Sequence, residues 1–206
     1  MAFGFLLPKE FNFFDLLDKQ VDYAVDAASP GSVILVTNGL YALGGKAIAG
    51  GITNRVAVDK PLAVTSVKGP DSTVIRGAWD PVTTNGIGAV RAVWLTNGAS
   101  IGGFTITGGA TWAPTATQEM NGGGVWGTSS LATVSDCIIT GNQAGIQGGG
   151  AYGVTLKRCT LSGNIAIGYG TTSGSGGGAA NCVLRNCFVT GNKAWQYSGG
   201  GTYNCT

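Results

Sequence analysis

Alternation by two, restarted at a long and nearly regular interval, dominates this chain. Three segments read Val134-Ser-Asp-Cys-Ile-Ile-Thr140, Leu156-Lys-Arg-Cys-Thr-Leu-Ser162 and Leu184-Arg-Asn-Cys-Phe-Val-Thr190, with apolar residues at the first, fourth and sixth positions. From each cysteine onward, the period of two predicts a strand whose inward side carries Cys137 and Ile139, Cys159 and Leu161, and Cys187 and Val189. Helical spacing does not fit, because β-branched residues dominate and Gly141-Asn142, Gly163-Asn164 and Gly191-Asn192 end the runs. A weaker copy, Ile101-Gly-Gly-Phe-Thr-Ile-Thr-Gly-Gly109, places Phe104 where the cysteines stand and Ile106 where the aliphatics stand.

A Gly-Gly-Gly triplet follows each of the three Cys-x-x-x-Gly-Asn-x-Ala units. The triplets open at Gly122, Gly148, Gly176 and Gly199, at spacings of 26, 28 and 23 residues. Such a period belongs to stacked repeats, and a coil of several short strands with glycine-rich corners is an all-β parallel β-helix. The 37 glycines and the low charged fraction of 11% fit this, since a chain that turns several times per coil needs positive-φ corners. Asn142, Asn164 and Asn192 tolerate the same conformation and are placed to bond one another from coil to coil as a scaffold ladder.

Upstream, residues 9–28 read as one amphipathic helix, with Phe14, Leu17, Val21, Ala24 and Ala28 at steps of three and four and Ser29-Pro30-Gly31 as its stop. Laid across the first coil, it would cover the solenoid's open end. The organisation expected is an N-terminal segment and capping helix over 1–28 and coils of a single domain over 29–206. Extended segments are expected at 33–41, 55–58, 62–67, 73–76, 92–96 and 100–107. Thr37-Asn38-Gly39 recurs as Thr96-Asn97-Gly98, which suggests one corner used twice. After Gly199-Gly-Gly-Thr-Tyr-Asn-Cys-Thr206 a further strand is expected, so the chain reads as truncated at its C-terminus, with a raw edge open to edge-to-edge self-association.

Charge and chemistry narrow the function. Twelve basic and 10 acidic side chains are scattered, without the basic run that would make nucleic acid a partner. No apolar segment approaches the ~20 residues of a membrane span, and Met1 to Leu7 lacks the basic start of a secretory signal. With no histidine, the Ser-His-Asp and Cys-His schemes are closed. No metal site is expected without histidine or a close Cys-x-x-Cys pair, and no cofactor motif is present, Gly44-Gly45-Lys46-Ala47 lacking the rest of a phosphate loop. In-register cysteines read mainly as reduced packing residues, with disulfides between neighbouring coils as the alternative.

Loops between turn and triplet, at 110–121, 143–147, 165–175 and 193–198, vary in length while leaving one corner, so they crowd one flank. Trp112, Tyr169, Trp195 and Tyr197 stand on them and are the candidate binding residues, either as a platform for sugar rings or protein or as covers for their own coil. A second aromatic column, Trp126, Tyr152 and Tyr203 with Ala180 interrupting, reads as packing. No catalytic residue is assigned, and Asp136 aligned with Arg158 reads as a cross-coil ion pair.

The run Val21-Asp-Tyr-Ala-Val-Asp-Ala-Ala-Ser-Pro-Gly-Ser-Val-Ile-Leu-Val-Thr-Asn-Gly-Leu-Tyr41 resembles the entry of the pectin-lyase-like right-handed β-helix superfamily. The Gly-Gly-Gly and Cys-x-x-x-Gly-Asn-x-Ala units resemble repeats of secreted bacterial β-helix proteins and polymorphic outer-membrane proteins. The resemblance implies a right-handed parallel β-helix in a secreted or cell-surface protein; that fold hosts lyases, hydrolases, adhesins and spacers. Its lyases gather acidic residues around calcium beside an arginine or lysine base, and its hydrolases pair carboxylates. No such pair is forced together in the better-defined coils here. The expectation is a non-catalytic scaffold that presents loops to polysaccharide or a cell-surface protein. The alternative is a polysaccharide-active enzyme whose catalytic coils lie partly outside this chain. Residues 5–18 resemble the opening of PhoU-related phosphate-transport accessory proteins, but no helical bundle follows, so that function does not carry over.

Overall fold

A computed structural model describes residues 11–14, 21–48, 51–112, 117–170, 172–195 and 199–206, the first of these by backbone alone. Each coil lays one strand on each of three faces. Face A stacks Val33–Val36, Ala63–Ser66, Ser100–Gly102, Thr133–Ser135, Thr155–Lys157 and Val183–Arg185. Face B stacks Gly39–Tyr41, Thr73–Arg76, Thr105–Thr107, Ile138–Thr140, Thr160–Ser162 and Phe188–Thr190. Face C stacks Thr53–Val58, Arg91–Leu95, Val125–Gly127, Ala151–Tyr152, Ala179–Ala180 and Thr202–Tyr203. Pairing from coil to coil on every face is parallel, so the architecture is the expected right-handed parallel β-helix.

Register turns the sequence period into columns of the core. On face A, Ile34, Val64, Ile101, Val134, Leu156 and Leu184 lie one above another. On face B, Tyr41, Ile75, Ile106, Ile139, Leu161 and Val189 do the same. All but the last of each column are buried, and each buried aliphatic contributes about 1.5–3 kcal/mol. Phe104, Cys137 and Cys159 are buried between these columns, and all five cysteines are free thiols. Burial pushes the Cys137 and Cys182 thiols up, away from reactivity at neutral pH.

The corner from face B to face C carries the asparagine ladder. Asn142 Nδ2 donates to Asn164 Oδ1 at 3.0 Å, and Asn164 Nδ2 to Asn192 Oδ1 at 2.9 Å. Each amide also reaches back one coil, to the carbonyls of Ile106, Ile139 and Leu161 at 3.0, 2.8 and 2.9 Å. The glycine triplet exists because the amide fills this corner. A side chain at Gly150 would start 2.9 Å from Asn164 Nδ2 and 2.5 Å from the Gly178 carbonyl, while Gly148 takes a φ of 64° that opens the turn.

At the N-terminal end the fold departs from expectation. The helix spans only Val21–Ala27, and Phe11–Phe14, expected within it, is a strand pairing parallel with Val33–Val36. An aromatic-rich tetrapeptide beside an unpaired edge gains a full ladder as a strand, which an isolated extra helical turn would not supply. Leu17, expected on the helix's apolar face, lies outside the described residues. The helix covers the first strand of face C: Ala57 N donates to Asp22 Oδ1 at 2.8 Å, and Lys60 Nζ closes the C-terminal end by donating to the carbonyls of Val25, Asp26 and Ala28. Thr37-Asn38-Gly39 and Thr96-Asn97-Gly98 are not one corner. The first turns from face A to face B and the second from face C to face A, since the tripeptide encodes a local bend and not its place in the coil.

Two measurements test this frame. Asn164→Ala removes four hydrogen bonds at this corner and leaves the Asn142 backbone N–H without its partner, so unfolding by denaturant is expected to show a loss of about 3–5 kcal/mol. Asn192→Ala, at the half-exposed end of the ladder, is expected to lose clearly less. Burial raises the Asp22 carboxyl from 3.8 to about 6, so the fold favours its protonated form. Its contribution is therefore complete below the unfolded value and is lost as pH rises through about 6, on the order of 3 kcal/mol in all. Asp22→Asn keeps an acceptor for Ala57 N and is expected to flatten that pH dependence in melting curves between pH 4 and 7.

Candidate functional site

Every coil leaves the body at the corner between faces B and C, and the excursions share one flank. The first two residues of the later ones are not loop but a fourth in-register ladder, Gln143–Ala144, Ile165–Ala166 and Lys193–Ala194, joined from above by the Ala110–Gln143 bridge. This correction to the expected loops fixes the outward column. One step past the alanines stand Gly145, Ile167 and Trp195, with Ile167 N donating to the Ala144 carbonyl and Trp195 N to that of Ala166. The bridge sets Ala110 over Gln143, and there the ladder ends, because Gly145 N bonds the Thr111 hydroxyl and not its carbonyl.

Trp112 is half-buried, whereas Trp195 is 58% exposed. Tyr169, 40% exposed, sits on an antiparallel hairpin directly opposite Thr172. Tyr197 lies outside the described residues. The chain folds back over part of its own coil as well: Met120 packs onto Gly145 and forms a small buried pair with Ile146. Met120 thus covers Gly145, while the Trp195 ring stays open.

Between the 117–121 segment and the hairpin lies an open groove of about 410 Å³ lined by Thr117, Gln118, Asn121, Ile146, Gln147 and Thr172. Arg91, fully buried in face C, sets its near wall. Its guanidinium donates to the carbonyls of Gly122, Glu119 and Asn121 at 3.0, 2.8 and 3.2 Å and to Asn54 Oδ1 at 2.8 Å. Its charge faces the Glu119 carboxylate at 3.6 Å, and burial lowers its pKa only to about 10, so it stays cationic. Thr111 ties the loop down from the other side, donating to the Met120 carbonyl at 2.8 Å and accepting from Gly145 N at 3.0 Å. The signal for Arg91 was in the sequence, as the lone charge in the otherwise apolar strand Arg91–Leu95.

A further part of the flank has no counterpart in the repeat pattern. Residues 77–90 make the second coil's excursion and carry Trp79, Val82 and Ile87, exposed by 52%, 88% and 85%. Asp80 shapes this loop, accepting from Val82 N, Thr83 N and Gly88 N at 3.0, 2.9 and 2.9 Å, and these bonds hold its carboxyl down at about 2. Asn85 fastens the loop to the next coil, accepting from Gln143 Nε2 and donating to the Thr111 carbonyl. With Leu43, Tyr169 and Trp195, six of the exposed large apolar side chains stand on this flank.

Acidic groups are committed elsewhere. Lys46 bridges Asp26 and Asp59 at 2.6 and 2.8 Å beside the helix, and Arg158 grips Asp136 through two bonds of 2.7 Å at the corner between faces A and B. Among the described residues, no carboxylate lines the groove, no trio of metal-ligating side chains converges, and no helix is long and apolar enough to cross a membrane. The second aromatic column is in register as read and extends to Trp94, whose ring stacks on Trp126 at 5.9 Å.

Comparison with known proteins adds little to this geometry. No protein-family model and no curated protein matches the chain. Among solved structures, a pectin methyl esterase from rice weevil is similar at 13% identity with a TM-score of 0.43, over 80% of this chain and 51% of that one. The chain thus spans about half the length of that enzyme.

Asp80→Ala removes the loop's internal anchors. Limited proteolysis is expected to cut within 77–90 at least several-fold faster than in the wild type, with the melting transition of the coils little changed.

Proposed function

We propose that this chain is a non-catalytic β-helical scaffold of a secreted or cell-surface protein, and that its flank between faces B and C binds carbohydrate. The observation that carries the reading is the exposed Trp195 at the end of the outward column of Gly145 and Ile167, set beside a groove whose polar groups are neutral amides and hydroxyls. Ring faces of this kind stack on the apolar faces of sugars, and amides and hydroxyls supply both donors and acceptors for sugar hydroxyls. A rigid ladder beneath holds the spacing, so little order has to be gained on binding.

The rival reading, an enzyme acting on polysaccharide, asks for paired carboxylates at the bound chain. The acids nearest the groove have other partners, Glu119 facing Arg91 and Asp80 holding its own loop. The scaffold reading is therefore preferred.

Glycan-array screening followed by titration calorimetry tests the proposal. Trp195→Ala is expected to weaken the best-bound glycan about tenfold or more and Trp112→Ala by less, as the half-buried ring offers less face. Phe188→Ala, exposed on face B and away from the flank, is expected to leave affinity unchanged. Equal loss in all three variants, or none in any, would overturn the assignment of the flank.

A further inference from the structure

The carbohydrate reading leaves the class of glycan open, and the groove narrows it. Asn121 is only 6% exposed, yet its side chain lines the groove. Its Oδ1 accepts from Gln147 N at 3.0 Å, and its Nδ2 makes no hydrogen bond within the described residues. This Nδ2 is not among the buried polar atoms that lack a partner, so in a wall open to solvent it keeps access to water and can donate to a ligand hydroxyl in its place. Around it the Gln118 amide and the hydroxyls of Thr117 and Thr172 also make no hydrogen bond among the described residues, although the rest of this corner is densely bonded.

Charge decides which sugar suits such a wall. An acidic polymer brings a carboxylate on each unit and needs cations at matching intervals. None lines the groove: Arg91 is buried and faces Glu119, and Lys193, exposed two residues before Trp195, is the nearest cation on the ladder itself. Glu119, whose side chain is partly exposed, adjoins Gln118 and adds a negative charge at the rim. A carboxylate seated here would lose hydration without gaining a partner.

Resting on the carbohydrate reading of the flank, we propose that the groove selects a neutral, extended oligosaccharide lying along the solenoid axis. Asn121, Gln118, Thr117 and Thr172 read its hydroxyls, and Tyr169 and Trp195 stack on its rings. Tyr169 stands opposite Thr172 on the hairpin, so one ring platform adjoins the polar wall, and the Trp195 platform lies along the axis beyond it. Binding sites arranged in a line predict that affinity grows with chain length until the line is filled.

The test is calorimetric titration of the whole chain with neutral β-1,4-linked oligosaccharides of two to six units, the glucose and xylose series, alongside oligogalacturonates of equal length. The expected result is neutral-chain affinity that rises at least tenfold from dimer to the longer members, varies little with salt, and exceeds that for oligogalacturonates at least tenfold. Thr172→Val and Gln118→Ala, both at exposed positions where the fold is not at stake, are each expected to weaken the neutral ligand about threefold to tenfold. Asn121→Asp, which keeps the acceptor for Gln147 N and removes the donor, is expected to weaken it at least as much, its folding checked by melting. Tighter, salt-sensitive binding of oligogalacturonate would overturn the inference while leaving a carbohydrate-binding flank in place. So would affinity independent of length, or unaffected by all three substitutions. Binding to no glycan of either series would overturn both.

Discussion

Hydrogen bonding between one coil and the next, repeated at the same corner, is the constraint on which the rest of this molecule depends. The amides of Asn142, Asn164 and Asn192 each join a neighbouring amide to a carbonyl one coil back, and glycine triplets close over them because no side chain fits. Such bonds are buried and oriented, and a coil that failed to supply its share would leave donors and acceptors unmet in its neighbours. Each coil that carries the ladder is therefore obliged to arrive at this corner in register, whatever it does afterwards. Freedom begins immediately beyond it.

That division between an obligatory corner and a free excursion makes the flank. The alanines at 144, 166 and 194 still stack, and after them come a minimal link at 145–147 and a hairpin at Gly168–Tyr169 and Thr172–Ser173, while the coil entered at Ala110 carries a short 3-10 turn. Stacked excursions of unequal length leave a groove where a short one lies between two long ones, as the 145–147 link lies between the 111–121 loop and the 168–173 hairpin. Arg91 and Thr111 hold the loop's backbone through its carbonyls, so the wall is fixed while the side chains of Thr117 and Gln118 make no hydrogen bond among the described residues. Rigidity of backbone and availability of side chain thus come from the same device.

The stacking of coils was legible in the sequence because a period of two within a repeat of fixed register places each residue both inward or outward and above its counterpart. Cys137 and Ile139 needed nothing more. What escaped the sequence was whatever local pattern does not determine. Phe11–Phe14 was read as helix because its spacing continues that of Val21 and Ala24, and the vacant edge that makes it a strand belongs to another part of the chain. The tripeptide Thr-Asn-Gly bends the chain equally well at two different corners. The 77–90 loop carries no such signal, because the first two coils lack the Gly-Asn turn and triplet that mark the same corner later on. Asn121 gave no sign at all, since its open donor arises only once the loop has folded against Gln147.

Tryptophans on two columns of one solenoid show why position alone does not make a binding site. On face C, Trp94 and Trp126 occupy consecutive rungs, and their rings meet at 5.9 Å with 19° between planes, with the Arg91 guanidinium 5.8 Å from the second ring. Those faces are already engaged by each other and by a cation, the arrangement in which such rings stabilise a fold. On the flank, Gly145 and Ile167 occupy the two rungs before Trp195, so its ring has no aromatic neighbour on the ladder within the ~4.5–7 Å range in which aromatic pairs attract. Consecutive spacing satisfies rings internally, while isolation on its column leaves the face of Trp195 open. That isolation, not the presence of tryptophan, distinguishes the surface that packs from the surface that is free to bind.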